Sequence, residues 1–241
     1  MMREVVALST RCLVTSEFAA ELARIDVGPE LADRIEVMPF AIFAPNGGDY
    51  HGDVDHDGAG APLVCSFGLV HSIKRPLVVV DAFARVRRDV PAARLAFVGR
   101  CSDDDAAAIR GCAEALGVGD AVTITGGVTE AEYAGWHARA TVAVQLRASS
   151  NGESSGAIGN ALCFGVPTIV GALGAARELP DDAVLKVPVD IGAADLAVAL
   201  TDLLHDDKRR AALRRGALTY AGAHSHQRVA AWLCEHLVAP S

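Results

Sequence analysis

Between residues 63 and 188 the chain repeats one pattern, a short apolar run rich in β-branched residues that stops at glycine, proline or a polar side chain. The runs are LVCSFG (63–68), RLAFVG (94–99), AVTITG (121–126), TVAVQL (141–146), PTIVG (167–171) and AVLKVP (183–188). Each is too short for a typical helix and reads as a strand. Their starts lie 31, 27, 20, 26 and 16 residues apart. The first four intervals leave room for a helical crossover, which makes successive strands parallel. The runs are apolar throughout, as a sheet covered on both faces requires. Helices are expected at Pro76–Arg88, Asp103–Leu116 and Glu130–Arg139, then one that closes near Phe164 with Gly165 as its cap. Three more are expected near 193–205, 207–222 and 225–237. The fold class that follows is α/β, a doubly wound Rossmann-like domain on a six-stranded parallel sheet.

The first 60 residues differ. Arg11–Thr15 reads as a strand, Ser16 as the cap of a helix through Arg24, and Ile35–Phe40 as a second strand. Residues 46–62, NGGDYHGDVDHDGAGAP, are rich in Gly and Asp and read as a linker. Inside it, Asp53, Asp55, Asp57 and Gly58 match the first half of a calcium loop. The twelfth position is Val64 instead of a bidentate Glu, so a solvated acidic linker is the better reading, even with His51 and His56 close by.

Charge and cysteine content exclude several function classes. Lys and Arg number 22 against 30 Asp and Glu, a net charge of −8. That balance argues against duplex nucleic acid as a partner. The longest apolar runs, such as Leu77–Ala84, fall well short of the ~20 residues of a membrane helix. No signal-peptide pattern opens the chain, so a cytoplasmic location is expected. Six scattered cysteines contain no CxxC pair, which points to reduced thiols in the core. His224 and His226 are alternate residues that would not share a helix face, and surface positions near a helix start are expected.

Two glycine-bearing turns fall where a doubly wound sheet binds ligands, at the carboxyl ends of its strands. In FGLVHSIKRP (67–76), Gly68 ends the strand and Lys74 and Arg75 stand where the helix begins. A cation beside free helix N–H groups suits an anion. This turn is neither a dinucleotide fingerprint nor a Walker loop, and Asp81 comes too early for the acidic partner of a nicotinamide or flavin site. In RASSNGESSGAIGNALCFGVP (147–167), the small residues Ser154, Ser155 and Gly156 open a helix to close approach. Glu153 beside them suits neutral hydroxyls; capping of that helix would equally explain a carboxylate.

The segment NGESSG…NALCFGVPTIV resembles the donor-binding segment of glycosyltransferase family 4, retaining transferases of GT-B fold. The resemblance continues through FGLVHSIKRPLVVVDAFARV, RLAFVGR, VTITGGVTEAEYAGWHARATVAVQLR and GALGAARELP, in the family's order. It implies that 63–241 is the nucleotide-sugar domain, one half of a GT-B fold. Residues 1–45 resemble the end of the N-terminal acceptor domain, and 46–62 would be the linker. By position, Lys74 corresponds to the phosphate-contacting lysine and Glu153 to the glutamate on sugar hydroxyls. Ser155 and Gly156, with Ser154, correspond to the amides on the distal phosphate, and Gly99 to a nucleotide-facing glycine. Gly126–Val128 would lie near the base. The phosphate-binding arginine usual in the family is Leu69 here, with Arg75 or Arg147 as substitutes. The ribose-gripping glutamate is Asn160.

The resemblance implies transfer of a hexosyl group, with retention, from a nucleotide diphosphate sugar. That molecule is a donor substrate, and neither a cofactor nor a metal is expected. Lys74 and Glu153 carry the catalytic expectation. The partners are the nucleotide sugar and a missing acceptor domain or partner chain, with membrane-peripheral placement in a full-length enzyme. The competing readings are a nucleotide-binding fragment or partner-dependent module, and a GT-B nucleotide-sugar epimerase.

Overall fold

The computed structural model describes residues 2–43 and 60–238. The partial calcium pattern and most of the expected linker lie outside the described residues. An N-terminal unit comprises α1 (Met2–Leu8), β1 (Cys12–Val14), α2 (Glu17–Val27) and β2 (Ile35–Val37). The main unit follows with β3 (Leu63–Phe67), α3 (Pro76–Asp89), β4 (Arg94–Val98), α4 (Asp103–Ala115), β5 (Val122–Ile124) and α5 (Glu130–Arg139). It continues through β6 (Val142–Gln145), α6 (Gly156–Cys163), β7 (Thr168–Gly171), β8 (Leu185–Val187), α7 (Ala193–His205), α8 (Asp207–Ala223) and α9 (His226–Leu233). A π-helical turn, Cys234–Val238, extends α9.

All six strands of the main sheet are parallel, in the order β5-β4-β3-β6-β7-β8. The chain winds outward from β3 through β5, then returns to the other side of β3 and winds outward again. The expected fold class is therefore observed. Its reversal point lies between β3 and β6, which opens a crevice at their carboxyl ends.

Side-chain alternation explains the two covers. Val64, Leu95 and Phe97 point to one face, into a core with Val79, Phe83, Leu196 and Leu200, where α3 packs on α4 and α7. Cys65, Phe67, Ala96 and Val98 point to the other, against Ala134, Ala161 and Phe164 of α5 and the α6 segment. A strand presents successive residues to opposite faces, so apolar residues at every position need two apolar covers. Helix starts carry their own signals. Pro76 occupies the first turn of α3, Ser102 caps α4, and Thr129 with Glu132 forms a capping box on α5.

The N-terminal unit has a two-stranded parallel sheet, with Cys12 opposite Ile35, and a small core of Val6, Ala20, Ala23, Val27 and Ile35. The strand expected at Ile35–Phe40 stops at Val37. Ile42 instead forms a single bridge to Ser225. The helix expected through Arg24 runs on to Val27, and α1 is an element the sequence reading missed. All six cysteines are free, but only Cys65 is fully buried, so the expectation of core thiols holds there alone. His224 and His226 are half-buried rather than exposed. His224 stacks on Tyr220 at 4.0 Å and His226 meets Phe43 edge-on at 3.7 Å. Among the described residues no three metal-ligating side chains cluster, and no helix is long and apolar enough to cross a membrane.

Candidate active site

The loops that leave β3 and β6 face each other across the reversal point. At the end of β3 the backbone of Gly68 has φ +87°. A Cβ built there would sit 3.0 Å from the Lys74 ammonium and 3.3 Å from the Ala157 Cβ. Three parts therefore meet: the end of β3, the Lys74 ammonium and the first turn of α6. Gly99, at φ +142°, closes the floor. A Cβ there would lie 2.2 Å from the Gly68 carbonyl oxygen, so only glycine lets the ends of β3 and β4 approach this closely.

Lys74 closes a short 3-10 turn, Ser72–Lys74, in which the His71 ring accepts a hydrogen bond from the Ile73 N–H at 3.2 Å. Its ammonium donates to the Phe67 carbonyl at 2.6 Å. Burial, and then the positive charge of Arg147, push its pKa down to about 8. Both effects disfavour the charged form, so an anion in this crevice would be drawn to Lys74 and would hold its proton on. On the opposite wall Ser155 caps α6 by accepting from Ile158 N–H at 3.4 Å. The amides of Gly156 and Ala157 in the first turn have no intrahelical acceptor, and the helix dipole favours negative charge there.

Arg147 follows β6 and pairs with Glu153. The other Glu153 oxygen accepts from the Asn151 N–H at 2.7 Å and the Ser150 hydroxyl at 3.3 Å. Partial burial pushes this carboxyl up, but backbone N–H groups, the Arg147 charge and Ser150 outweigh it and hold the pKa below the ordinary range. Glu153 is thus an ionised acceptor at the crevice mouth. Ser155, not Glu153, caps α6, which removes the capping explanation for the carboxylate.

Other candidates fall nearby or elsewhere. Asn160 hydrogen-bonds the Tyr133 side chain and moderates the rise that burial imposes on the Tyr133 hydroxyl. Tyr133 packs edge-on against Phe67 at 5.6 Å. Gly126 bridges to Gly99, which holds the turn after β5 at the carboxyl end of β4. Leu69 is 60% exposed and carries no charge to the site. Arg75 is not brought to the Lys74 cluster. Its guanidinium donates to the carbonyls of Val189 and Ile191 at 2.6 and 2.8 Å and ties down the turn after β8.

The N-terminal unit adds residues that sequence reading missed. The Thr15 hydroxyl meets the Ser154 hydroxyl at 2.8 Å. Glu178 accepts from the Glu17 and Phe18 backbone N–H groups at 3.0 and 2.8 Å, which caps α2 from 160 residues away. Arg177 pairs with Glu21 at 2.7 Å. The sequence signal was limited to Ser16 as a local cap; nothing in it showed that a distant carboxylate would share the same helix end.

Comparison with known proteins identifies the family and the fold. Residues 58–219 match the family model for glycosyl transferases group 1. A curated relative, D-inositol 3-phosphate glycosyltransferase of Segniliparus rotundus, is 30% identical over 229 residues, covering 90% of this chain and 47% of that protein. The chain thus spans about half the length of the curated relative it matches. Anabaena Alr3699/HepE, solved in complex with UDP and glucose, aligns with a TM-score of 0.80 at 17% identity, over 99% of this chain and 67% of that one. Sucrose-phosphate synthase from Thermosynechococcus elongatus aligns at 0.76 and 21% identity, over 97% of this chain and 59% of that one. At those identities the structural matches speak for the fold alone. With a family model over most of the main unit and a curated relative across nearly the whole sequence, this chain belongs to the glycosyl transferases group 1 family.

Proposed function

We propose that this chain supplies the donor half of a retaining glycosyltransferase, which moves a hexosyl group from a nucleotide diphosphate sugar to an acceptor. The observation that carries the reading is the meeting of Gly68, Lys74 and the first turn of α6 at the reversal point of the sheet. The hard step in such a transfer is departure of the nucleoside diphosphate. Lys74 and the α6 amides are fixed in place before the reaction and would stabilise the negative charge that grows on the leaving phosphate. Arg147 would add a second charge once it leaves Glu153, in place of the arginine absent at Leu69. Glu153 would orient the sugar hydroxyls, Asn160 would meet the ribose, and Gly126–Val128 would lie by the base. Residues 1–45 would be the end of an acceptor-side domain and 63–241 the donor domain.

One observation favours a second reading, a nucleotide-binding module that needs another polypeptide for transfer. Among the described residues the acceptor-side sheet has two strands, β1 and β2. Thermal unfolding with saturating UDP, GDP, ADP or NAD tests the donor site; UDP comes first because a structural neighbour holds it. A ligand at ~100 times its Kd adds ~2.7 kcal/mol to native stability. We expect a shift with one nucleoside diphosphate and none with NAD. Silence from all four would overturn both readings. A nucleotide shift without turnover of any nucleotide sugar would favour the module.

A further inference from the structure

The α3 helix joins the two ends of the main unit. It starts beside Lys74 at the carboxyl ends of the strands and runs for 14 residues, so its last turn lies about 20 Å away, at their amino ends. There the end of α3, the turn into β4 and the turn from α4 into β5 frame a groove of about 390 Å³. This is within the range of small-molecule sites, ~300–1,000 Å³. One wall is basic, with Arg85, Arg87 and Arg88, and the other is apolar, with Pro91, Leu116 and Val118. Arg87 is committed. Its guanidinium donates to the Asp120 carboxylate and to the Pro91 carbonyl, each at 3.0 Å, and ties the two turns together. Arg85 gives its Nε to Asp81 at 3.0 Å, and no hydrogen bond among the described residues engages its terminal nitrogens. Arg88 has neither an ion pair nor a hydrogen bond among the described residues. Arg85 and Arg88 are three residues apart, so they share a helix face on which like charges repel. Opposite them Leu116 is 42% exposed. In a chain of net charge −8, this groove is cationic and has an apolar side.

We propose that this groove is a second ligand site, for a small organic phosphate monoester. Such a group presents three acceptor oxygens and close to two negative charges. It can bridge the Arg85 and Arg88 guanidinium forks, whereas a planar carboxylate fills one fork. Its organic body covers Leu116 and Pro91. The exposed carboxylates of Asp89, Glu114 and Asp120 stand on the elements that frame the groove and would meet any broad anionic surface. That selects a small free ester over a phosphate headgroup in a membrane. The site is remote from Lys74 and independent of the glycosyl-transfer reading.

Calorimetry on the full chain tests it with phenyl phosphate, inorganic phosphate and benzoate. Sedimentation with phosphatidylcholine vesicles, with and without phosphatidic acid, tests the lipid form. Phenyl phosphate is expected to bind tighter than either of the other small probes, and the chain to stay off both kinds of vesicle. One exposed ion pair at 4 Å is worth roughly fivefold in affinity. Arg85→Gln and Arg88→Gln should therefore each weaken phenyl phosphate roughly fivefold, and together roughly 25-fold. Leu116→Ser should bring phenyl phosphate down to the level of inorganic phosphate. All three positions are exposed, and circular dichroism checks that each variant folds. Lys74→Met should leave phenyl phosphate binding intact, which separates this groove from the donor crevice. The proposal is overturned if phenyl phosphate fails to bind, or binds no tighter than benzoate or inorganic phosphate. It is equally overturned if neither arginine variant weakens binding, if Lys74→Met abolishes it, or if only vesicles with phosphatidic acid retain the protein.

Discussion

Lys74→Met should make the unliganded protein more stable and a poorer binder of nucleoside diphosphates. Burial lowers the Lys74 pKa from its ordinary 10.5 to about 8. At pH 7 that fall corresponds to a cost of about 3 kcal/mol in the folded state. The sign follows from proton linkage. Between pH 8 and 10.5 the unfolded chain holds the proton that the folded chain has released, so stability rises with pH there, and below pH 8 the full cost is present. Methionine keeps the stem and removes the charge. It also forfeits the 2.6 Å bond to the Phe67 carbonyl, and a bond from a charged donor is worth ~1.5–3 kcal/mol. The balance is a gain of about 1 kcal/mol, or ~2–4 °C in Tm for a chain of this size. Against a bound diphosphate the same charge is worth up to ~4 kcal/mol at 4 Å and an effective dielectric of 20, so affinity should fall by two to three orders of magnitude. Urea unfolding at pH 7 and pH 10, with calorimetry against UDP and uridine, reads both effects. Wild type should close its stability gap to the variant as pH rises. A variant that is destabilised, with UDP and uridine weakened equally, would show that Lys74 is a structural strut and not a phosphate contact.

Three further outcomes are expected. His137 is stacked between Phe67 at 3.7 Å and Phe164 at 4.8 Å, its Nε2 has no hydrogen-bond partner among the described residues, and burial holds its pKa down to about 4. Below pH 6.5 the unfolded chain gains a proton that the folded chain refuses, so wild type should lose about 2 kcal/mol between pH 7 and 5; His137→Leu should flatten that slope in urea titrations. Gly99→Ala drives a methyl to 2.2 Å from the Gly68 carbonyl oxygen at positive φ and should cost ~3 kcal/mol or more, whereas Gly111→Ala, on exposed α4 with open space around it, should gain ~0.5–1 kcal/mol. Glu178→Ala removes the acceptor for two α2 amides and should cost ~1 kcal/mol, with faster hydrogen exchange at Glu17 and Phe18 than at Ala20.

Much of the fold was legible from residues 63–241 because its signals are local. An apolar run of five residues followed by a capped helix specifies its own secondary structure, and the spacing between runs leaves only a parallel sheet. The six strands and the helices α3 to α8 therefore lie within a few residues of expectation. The N-terminal unit was less legible. β2 is shorter than its apolar run: Met38 keeps one bond to Val14, while Phe40 packs near α6, and α1 depends on a small core with α2. Lys74, Glu153 and the small residues of the α6 turn were candidates by residue type and position, and their convergence in space was not legible there. Arg75 could not be separated from Arg147 in that way. One guanidinium ends on the carbonyls of Val189 and Ile191 and the other on Glu153, a difference decided by partners 114 and six residues away. Strand order placed β3 beside β6, although 74 residues separate Gly68 from Val142, and so brought Lys74, the α6 turn and Glu153 into one crevice. The docking of α2 on Glu178 belongs to the same class of fact. Periodicity and capping are properties of neighbouring residues, and the chain alone determined them; the convergence of distant residues depends on how the packed layers are ordered, and only the tertiary structure decided that.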